Sequence, residues 1–311
     1  MMNVQTSFLL SGIFLSVLCP ITVLANAFLL LAIYKDPLKT FHGPTACFLV
    51  ALSIADLTSG LVPQPMVSTC YFLWYRDHPK QIHCPKIMEI AGKVNTILTN
   101  LSFFIVLAFS LVQYIVVAHP LRSKELVTTC KTRALLVIIS LYAILFEMTK
   151  YMGLPQDVFE KIDLHLHSTF SLLLTIIIYM LLQKAFRRQM VQASATLTTG
   201  TELTEVRVEP QEGKSESSSQ NEKQQRQRLE VKRQFVRLNL VVIVVLLVCS
   251  QPSAILWYLD LYSGARIKNS HTLFQIRVIA ENTLYLKFLL DPFVFAWRIP
   301  EYREALRRAL C

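Results

Sequence analysis

Residues 108–121 read AFSLVQYIVVAHPL. An apolar segment runs to Gln113-Tyr114, crosses a few branched residues and stops at His119-Pro120-Leu121. It closes a run that begins near residue 87 and lacks the polar/apolar alternation of a half-buried strand. The run also exceeds the ~10 residues that a barrel strand needs. At a rise of ~1.5 Å per residue, a helix of about 20 residues crosses a hydrocarbon core of ~30 Å. The stretch 87–118 is long enough for that crossing.

Comparable runs occupy 8–34, 45–74, 134–152, 164–183, 237–262 and 272–297. In lipid each segment must satisfy its backbone hydrogen bonds internally, so the expected fold class is all-α, a seven-transmembrane helix bundle. Hydrophobic residues make up 53% of the chain and charged residues only 17%, a balance that would make a soluble globule insoluble. The first run has no basic segment before it and is long enough to span, so it reads as a helix rather than a signal peptide. Lys35 and Lys39, Arg122 to Arg133, the tract after Lys184, and Arg298 to Arg308 would share one side of the membrane. The opposite loops carry fewer basic residues, among them Arg76, Lys80, Lys161 and Arg266. The excess of inward-facing Lys and Arg puts the N-terminus outside. The net charge of +10 is thus a membrane signature, and no soluble domain is left to serve a nucleic-acid partner.

The one long polar tract, 190–233, is rich in Ser, Thr, Glu, Gln and Lys. It cannot bury enough apolar surface to fold alone, so a disordered cytoplasmic loop is expected, with helical extensions of the fifth and sixth spans at its ends. Its Ser-rich centre is either a phosphate acceptor or a plain spacer. No internal repeat is visible, which weakens a transporter reading.

Polar residues within the runs are the candidates for function. Asp56 lies mid-run, where an ionised carboxylate must face the bundle interior and find a partner. Asn26, Ser102, Lys287 and Asp291 are its candidate neighbours from other spans. The segments LANAFLLLA (24–32), LSIADLTSGL (52–61), VQYIVVAHPL (112–121), CSQPSAILWYL (249–259) and LLDPFVFAWRIPEY (289–302) follow in a characteristic order. Together they make the chain resemble a class A, rhodopsin-like G-protein-coupled receptor over all seven spans.

The resemblance implies a small sodium pocket at Asp56, Ser102 and Asp291. Lys287 stands where the family has a small polar residue, and its ammonium is expected to replace the cation; the alternative is that it reaches elsewhere and sodium still binds. Pro292 and Pro252 fall on the family's flexing points of spans seven and six, with Ser250 in place of the usual indole. Gln113, Tyr114, Tyr179 and Phe295 fall on the cytoplasmic coupling positions. Val112 and Gln113 replace the family's acid–arginine pair, and Phe295 lacks the hydroxyl of the tyrosine it replaces. Residues 299–310 are expected to form an amphipathic helix along the membrane, ending at Cys311, which is either palmitoylated or free.

The disulfide that the family usually places at the top of span three cannot form, because no cysteine lies between Cys130 and Cys249. Cys70 and Cys84 either close the first outer loop or stay as thiols. Asn95 occupies the position where amine receptors carry an aspartate, and with Glu281 and Tyr285 it forms the candidate ligand-binding set. Glu281 is left with two readings, a ligand contact or a pair with Arg277. Glu147 and Lys150 are spaced to pair with each other. GLPQDVFEKID (153–163) is expected to be a short loop before span five. The histidines lie near loops without a nucleophile or metal partner, so neither enzyme chemistry nor a cofactor is expected.

These features describe a multi-pass plasma-membrane receptor. Its expected partners are an extracellular small-molecule or peptide ligand, a heterotrimeric G protein or arrestin, and membrane lipid. A non-signalling decoy, scavenger or heteromer partner is the alternative, consistent with Val112 and Gln113. A small transporter or channel using Lys287 and Asp56 is a second.

Overall fold

The computed structural model describes residues 4–35, 43–77, 84–205, 214–262, 271–298, 304, 307 and 308. Cys311, Tyr302 and most of the stretch 299–310 therefore lie outside the described residues, as does the side chain of Phe295.

Among the described residues no strand occurs, and the helices form a seven-span bundle. Span one is Val4–Lys35; span two is Pro44–Leu61 continued by Pro63–Asp77; span three is Cys84–Ala118. Span four is Thr129–Met148 with a 3-10 turn Thr149–Met152. Span five joins Gln156–Ile162, a π-helical segment Asp163–Phe170 and Ser171–Glu205. Span six is Lys214–Tyr262 and span seven His271–Arg298. The first six contain windows apolar enough to cross a membrane. Span seven interrupts its apolar run with Arg277, Glu281, Lys287 and Asp291, so it needs the other helices to cover its charges. The end carrying Val4 is called the upper end below.

The side-chain pattern of span one is inverted relative to a soluble helix. Ser7, Ser11, Thr22 and Asn26 are buried, whereas Leu10, Val17 and Leu24 are each more than half exposed. Lipid is as apolar as leucine, so burial of apolar groups does not choose the inward face. Small and polar residues choose it, by close packing and interhelical hydrogen bonds. Span three lies at the centre, touching spans two, four, five and six, and span seven packs between one and six. Two apolar clusters fill the bundle. The upper one contains Leu18, Ala55, Leu98 and Phe288; the lower one contains Leu29, Leu52, Phe103 and Val294.

Prolines shape the spans locally. Pro63 and Pro65 cannot donate to the carbonyls one turn back, and the helix of span two breaks at Val62. One expected connection needs correction. The segment 153–163 is not a loop: Gly153, at φ 90°, ends the 3-10 turn, and a helix starts at Gln156 just after Pro155. Gln156–Glu160 and Asp157–Lys161 contacts one turn apart support it, at 2.7 and 3.3 Å. Within 190–233 the backbone is helical to Glu205 and again from Lys214, at the ends where helical extensions of spans five and six are expected. The middle of the tract, 206–213, lies outside the described residues.

Spans one and two approach closely at Gly60. A β-carbon there would lie 2.9 Å from Val23 Cγ2 and 3.3 Å from the Val23 backbone nitrogen. Gly60→Val is therefore expected to lower the melting temperature of the detergent-solubilised protein, at a cost of about 1–3 kcal/mol. Gly92→Ala, where an added carbon meets nothing within 4 Å, should leave the melt unchanged or raise it. Equal melts for the two variants would contradict the close crossing.

Candidate functional site

Between the two apolar clusters lies a polar layer. On span one Asn26 falls between Leu18 and Leu29; on span two Asp56 follows Leu52 and Ala55; on span three Ser102 separates Leu98 from Phe103. Span seven contributes Lys287 and Asp291, one turn apart. All five are at most 1% exposed. Lys287 Nζ donates to Asp291 Oδ2 at 3.0 Å and lies 3.6 Å from Asp56 Oδ1. The second contact is an ion pair beyond good hydrogen-bond length. One ammonium thus faces two carboxylates from two spans. Asp56 Oδ1 and Oδ2, Asp291 Oδ1 and Ser102 Oγ have no hydrogen-bond partner among the described residues.

Pro292 adds a second tie in the same layer. Lacking an N–H, it leaves the carbonyl of Phe288, one turn back, without its helical donor. Asn26 Nδ2 donates to that carbonyl at 3.0 Å and also to the Thr22 carbonyl at 3.0 Å. The gap opened by proline in span seven is closed by an amide from span one.

Above this layer a cavity of about 320 Å³ lies between spans two, three, five, six and seven. Asn95, Glu281 and Tyr285 all line it, with Trp257 and Phe159 supplying aromatic surface. Glu281 is not paired with Arg277, whose Nη2 instead meets Asp260 Oδ1 at 3.0 Å, on span six. Lys150 Nζ donates to Glu147 Oε1 at 2.6 Å, so those two residues satisfy each other.

The floor of the cavity holds residues that inspection of the sequence left out. Asn100 Nδ2 donates to Asp163 Oδ1 at 2.6 Å, and His167 Nδ1 lies 3.0 Å from the same oxygen. His167 Nε2 shares a hydrogen bond with Tyr142 Oη at 2.8 Å. With Nδ1–H donating to the carboxylate, Nε2 accepts from the tyrosine. The chain joins spans three, four and five. His167 is fully buried against Phe104, Tyr142 and Phe146, which corrects its placement near a loop. Its i,i+4 spacing from Asp163 within an apolar run was the available signal.

At the lower end Gln113 is buried, and Tyr114 and Tyr179 both pack against Val117, Leu182, Phe186 and Val236. Gln183 Nε2 donates to Tyr179 Oη. Ser110 Oγ donates to Asn239 Oδ1 at 2.7 Å, joining spans three and six where both groups are fully buried. Pro252 sits above this contact on span six, within the stretch that lines the cavity, and leaves the Val248 carbonyl below it without its helical donor.

Residues 25–165 match the model of the 7 transmembrane receptor (rhodopsin family). Over that stretch the chain is similar to rhodopsin-like seven-transmembrane receptors. Among its relatives, the thyrotropin-releasing hormone receptor of Gallus gallus is 23% identical over 145 residues, 45% of this chain and 34% of that protein. G-protein coupled receptor 52 of Bos taurus is 26% identical over 124 residues, 38% and 33% of the two chains. Adenosine receptor A2b of Gallus gallus is 30% identical over 115 residues, 37% and 32%. Each match thus spans about a third of the relative's length. The crystal structure of squid rhodopsin superposes with a TM-score of 0.80 at 14% identity, covering 100% of this chain and 87% of that one, a likeness of fold.

With six described helices long and apolar enough to cross a membrane, the chain is a multi-pass membrane protein with its own set of internal contacts. Cys70 and Cys84 are buried free thiols, with Cys70 Sγ 3.8 Å from the Cys84 carbonyl oxygen, so no bond closes the first upper loop. Removing the shared ammonium should expose the cost of the two carboxylates. Lys287→Met is expected to destabilise the bundle by about 3–5 kcal/mol, because it strands buried charge. Thermal unfolding in detergent measures this, and adding Asp56→Asn and Asp291→Asn to Lys287→Met should recover most of the loss. A single variant as stable as the parent would mean that the ammonium does not carry the layer.

Proposed function

We propose that this protein is a plasma-membrane receptor of the rhodopsin-like family with its N-terminus outside, converting ligand occupancy of the upper cavity into a tilt of span six. The tilt would open the lower end to a heterotrimeric G protein or arrestin. One observation carries the reading: the cavity and the lower contact share a single helix whose backbone ladder is open between them. Span six lines the cavity with Ser250, Ser253 and Trp257, and its lower part holds Asn239 against Ser110 of span three. Pro252, within the lining stretch, leaves the Val248 carbonyl without its helical donor between the two, where a helix bends most readily. A ligand that binds the tilted state better than the straight one shifts their populations.

In this reading the Ser110–Asn239 bond restrains span six at rest. Val112 and Gln113 cannot form the family's ion pair there. A net hydrogen bond of about 1 kcal/mol is a latch worth roughly fivefold in the balance of states. Lys287 takes the part of an internal cation between Asp56 and Asp291, in place of sodium. Tyr114 and Tyr179 complete the surface offered to the cytoplasmic partner. Asn95, Glu281 and Tyr285 are the ligand contacts. The absence of charge at Val112 and Gln113 favours a second reading, a decoy or heteromer partner that binds ligand without driving exchange.

Reconstitution with purified G proteins separates the two. Asn239→Leu is expected to raise basal nucleotide exchange on the order of fivefold, and Val112→Asp with Gln113→Arg should change it again. Exchange at the G-protein background in all three forms would leave the decoy. The internal cation is checked by melting the protein in sodium chloride and in potassium chloride. Equal melting temperatures are expected, and a sodium-specific rise would remove Lys287 from that role.

A further inference from the structure

The polar groups around the upper cavity are unbalanced in one direction. Three carboxylates line it, Glu160, Asp163 and Glu281, against one ammonium, Lys150. Most of these are already engaged. Lys150 is held by Glu147 at 2.6 Å, with its Nζ 4.0 Å from the ring centre of Phe159. Asp163 accepts from Asn100, and Glu160 accepts from Gln156 at 2.7 Å. Glu281 has no hydrogen bond or ion pair among the described residues, because the guanidinium one turn away is bound to Asp260.

The uncharged groups show the same bias. Asn95 Oδ1, Thr99 Oγ1 and Ser253 Oγ are buried atoms on the cavity wall with no partner, and Ser253 is only 6% exposed. A buried polar atom without a partner costs about 1–3 kcal/mol, so the wall is complementary to a ligand rich in donors. An amide oxygen only accepts, and a hydroxyl can accept; an ammonium supplies up to three N–H donors, whereas a carboxylate ligand supplies none. Trp257 and Tyr285 also face the cavity, and aromatic faces attract cations and pack against flat apolar groups. The volume of about 320 Å³ lies at the small end of the range for small-molecule sites.

We propose that the cavity takes a small organic cation, a primary or secondary amine with an aromatic or apolar body, whose ammonium is held by Glu281 with Asn95 and Ser253 as further acceptors. The inference rests on the reading of this cavity as the ligand site. It moves the charge anchor from span three, where Asn95 carries none, to span seven. A peptide of ordinary length exceeds the volume, and an anionic ligand would meet the carboxylate surplus.

The test needs no signalling output. Thr99→Cys places a thiol on the cavity wall, in a full-length background in which Cys130 and Cys311 are replaced by serine. Its modification is timed with trimethylammonioethyl and sulfonatoethyl methanethiosulfonates, each normalised to its rate with a free thiol. The cationic reagent is expected to react on the order of a hundredfold faster, since a unit negative charge at roughly 10 Å and an effective dielectric near 20 speeds the cation about tenfold and slows the anion about tenfold. Glu281→Gln should reduce that preference several-fold, whereas Asp157→Asn, at an exposed pair outside the cavity, should not. Phenethylammonium should slow the modification and 3-phenylpropionate should not. A preference indifferent to Glu281→Gln, no protection by the amine, or equal protection by the acid overturns the cation proposal and leaves the cavity as a ligand site. A thiol that neither reagent reaches, at Thr99→Cys or at Ser168→Cys, yet that reacts after denaturation, overturns the ligand-site reading and the proposal together.

Discussion

A lysine ammonium that is 1% exposed in a membrane-spanning bundle must have carboxylates beside it, and Lys287 has Asp291 from its own helix and Asp56 from span two. Desolvating an ion costs several kcal/mol, so the three groups fix the facing of span seven on span two more strictly than apolar contact would. Lipid and leucine are equivalent solvents for the helix sides. The polar layer therefore sets the rotation of the helices, and the two apolar clusters fill the space above and below it. Asn26 extends the constraint to span one by capping the carbonyl that Pro292 leaves open.

The rest of the bundle divides around that layer. Above it the cavity borders helices that deviate from regular geometry: span two breaks at Val62, span five widens to a π-helix over Asp163–Phe170, and span six contains Pro252. The π segment brings Asp163 and His167 inward to meet Asn100 and Tyr142, which gives the cavity a hydrogen-bonded floor. π-helical turns concentrate at functional sites for this reason, since one extra residue re-aims the side chains that follow. Below the layer, spans three, five and six meet through a small apolar cluster and the Ser110–Asn239 bond. Span six is common to both halves, so it is the element through which upper occupancy and lower contact are mechanically joined.

Much of this was legible in the residues. The seven apolar runs, the buried acid at Asp56 with Lys287 and Asp291 nearby, the spacing of Glu147 and Lys150, and the cavity position of Asn95, Glu281 and Tyr285 all follow from patterns within a helix or between motifs. Other contacts left no such trace. Arg277 is one turn from Glu281 yet binds Asp260, because the guanidinium turns toward span six. Pro155 and the polar residues after it resemble a connection next to His167, whereas i,i+4 pairs carry the helix through them.

The sequence by itself determined that this chain is an all-helical membrane bundle of rhodopsin-like type, because run length against bilayer thickness and the order of prolines and polar residues are local properties. It also marked which polar residues had to be buried, since each interrupts an apolar run. Only the tertiary structure decided their partners: Asn26 with the Phe288 carbonyl, Ser110 with Asn239, Asp163 with Asn100 and His167, and Glu281 with none among the described residues. Those choices depend on the rotation and depth of each helix relative to its neighbours. Rotation and depth emerge from all the interhelical contacts at once, so no single stretch of sequence carries them.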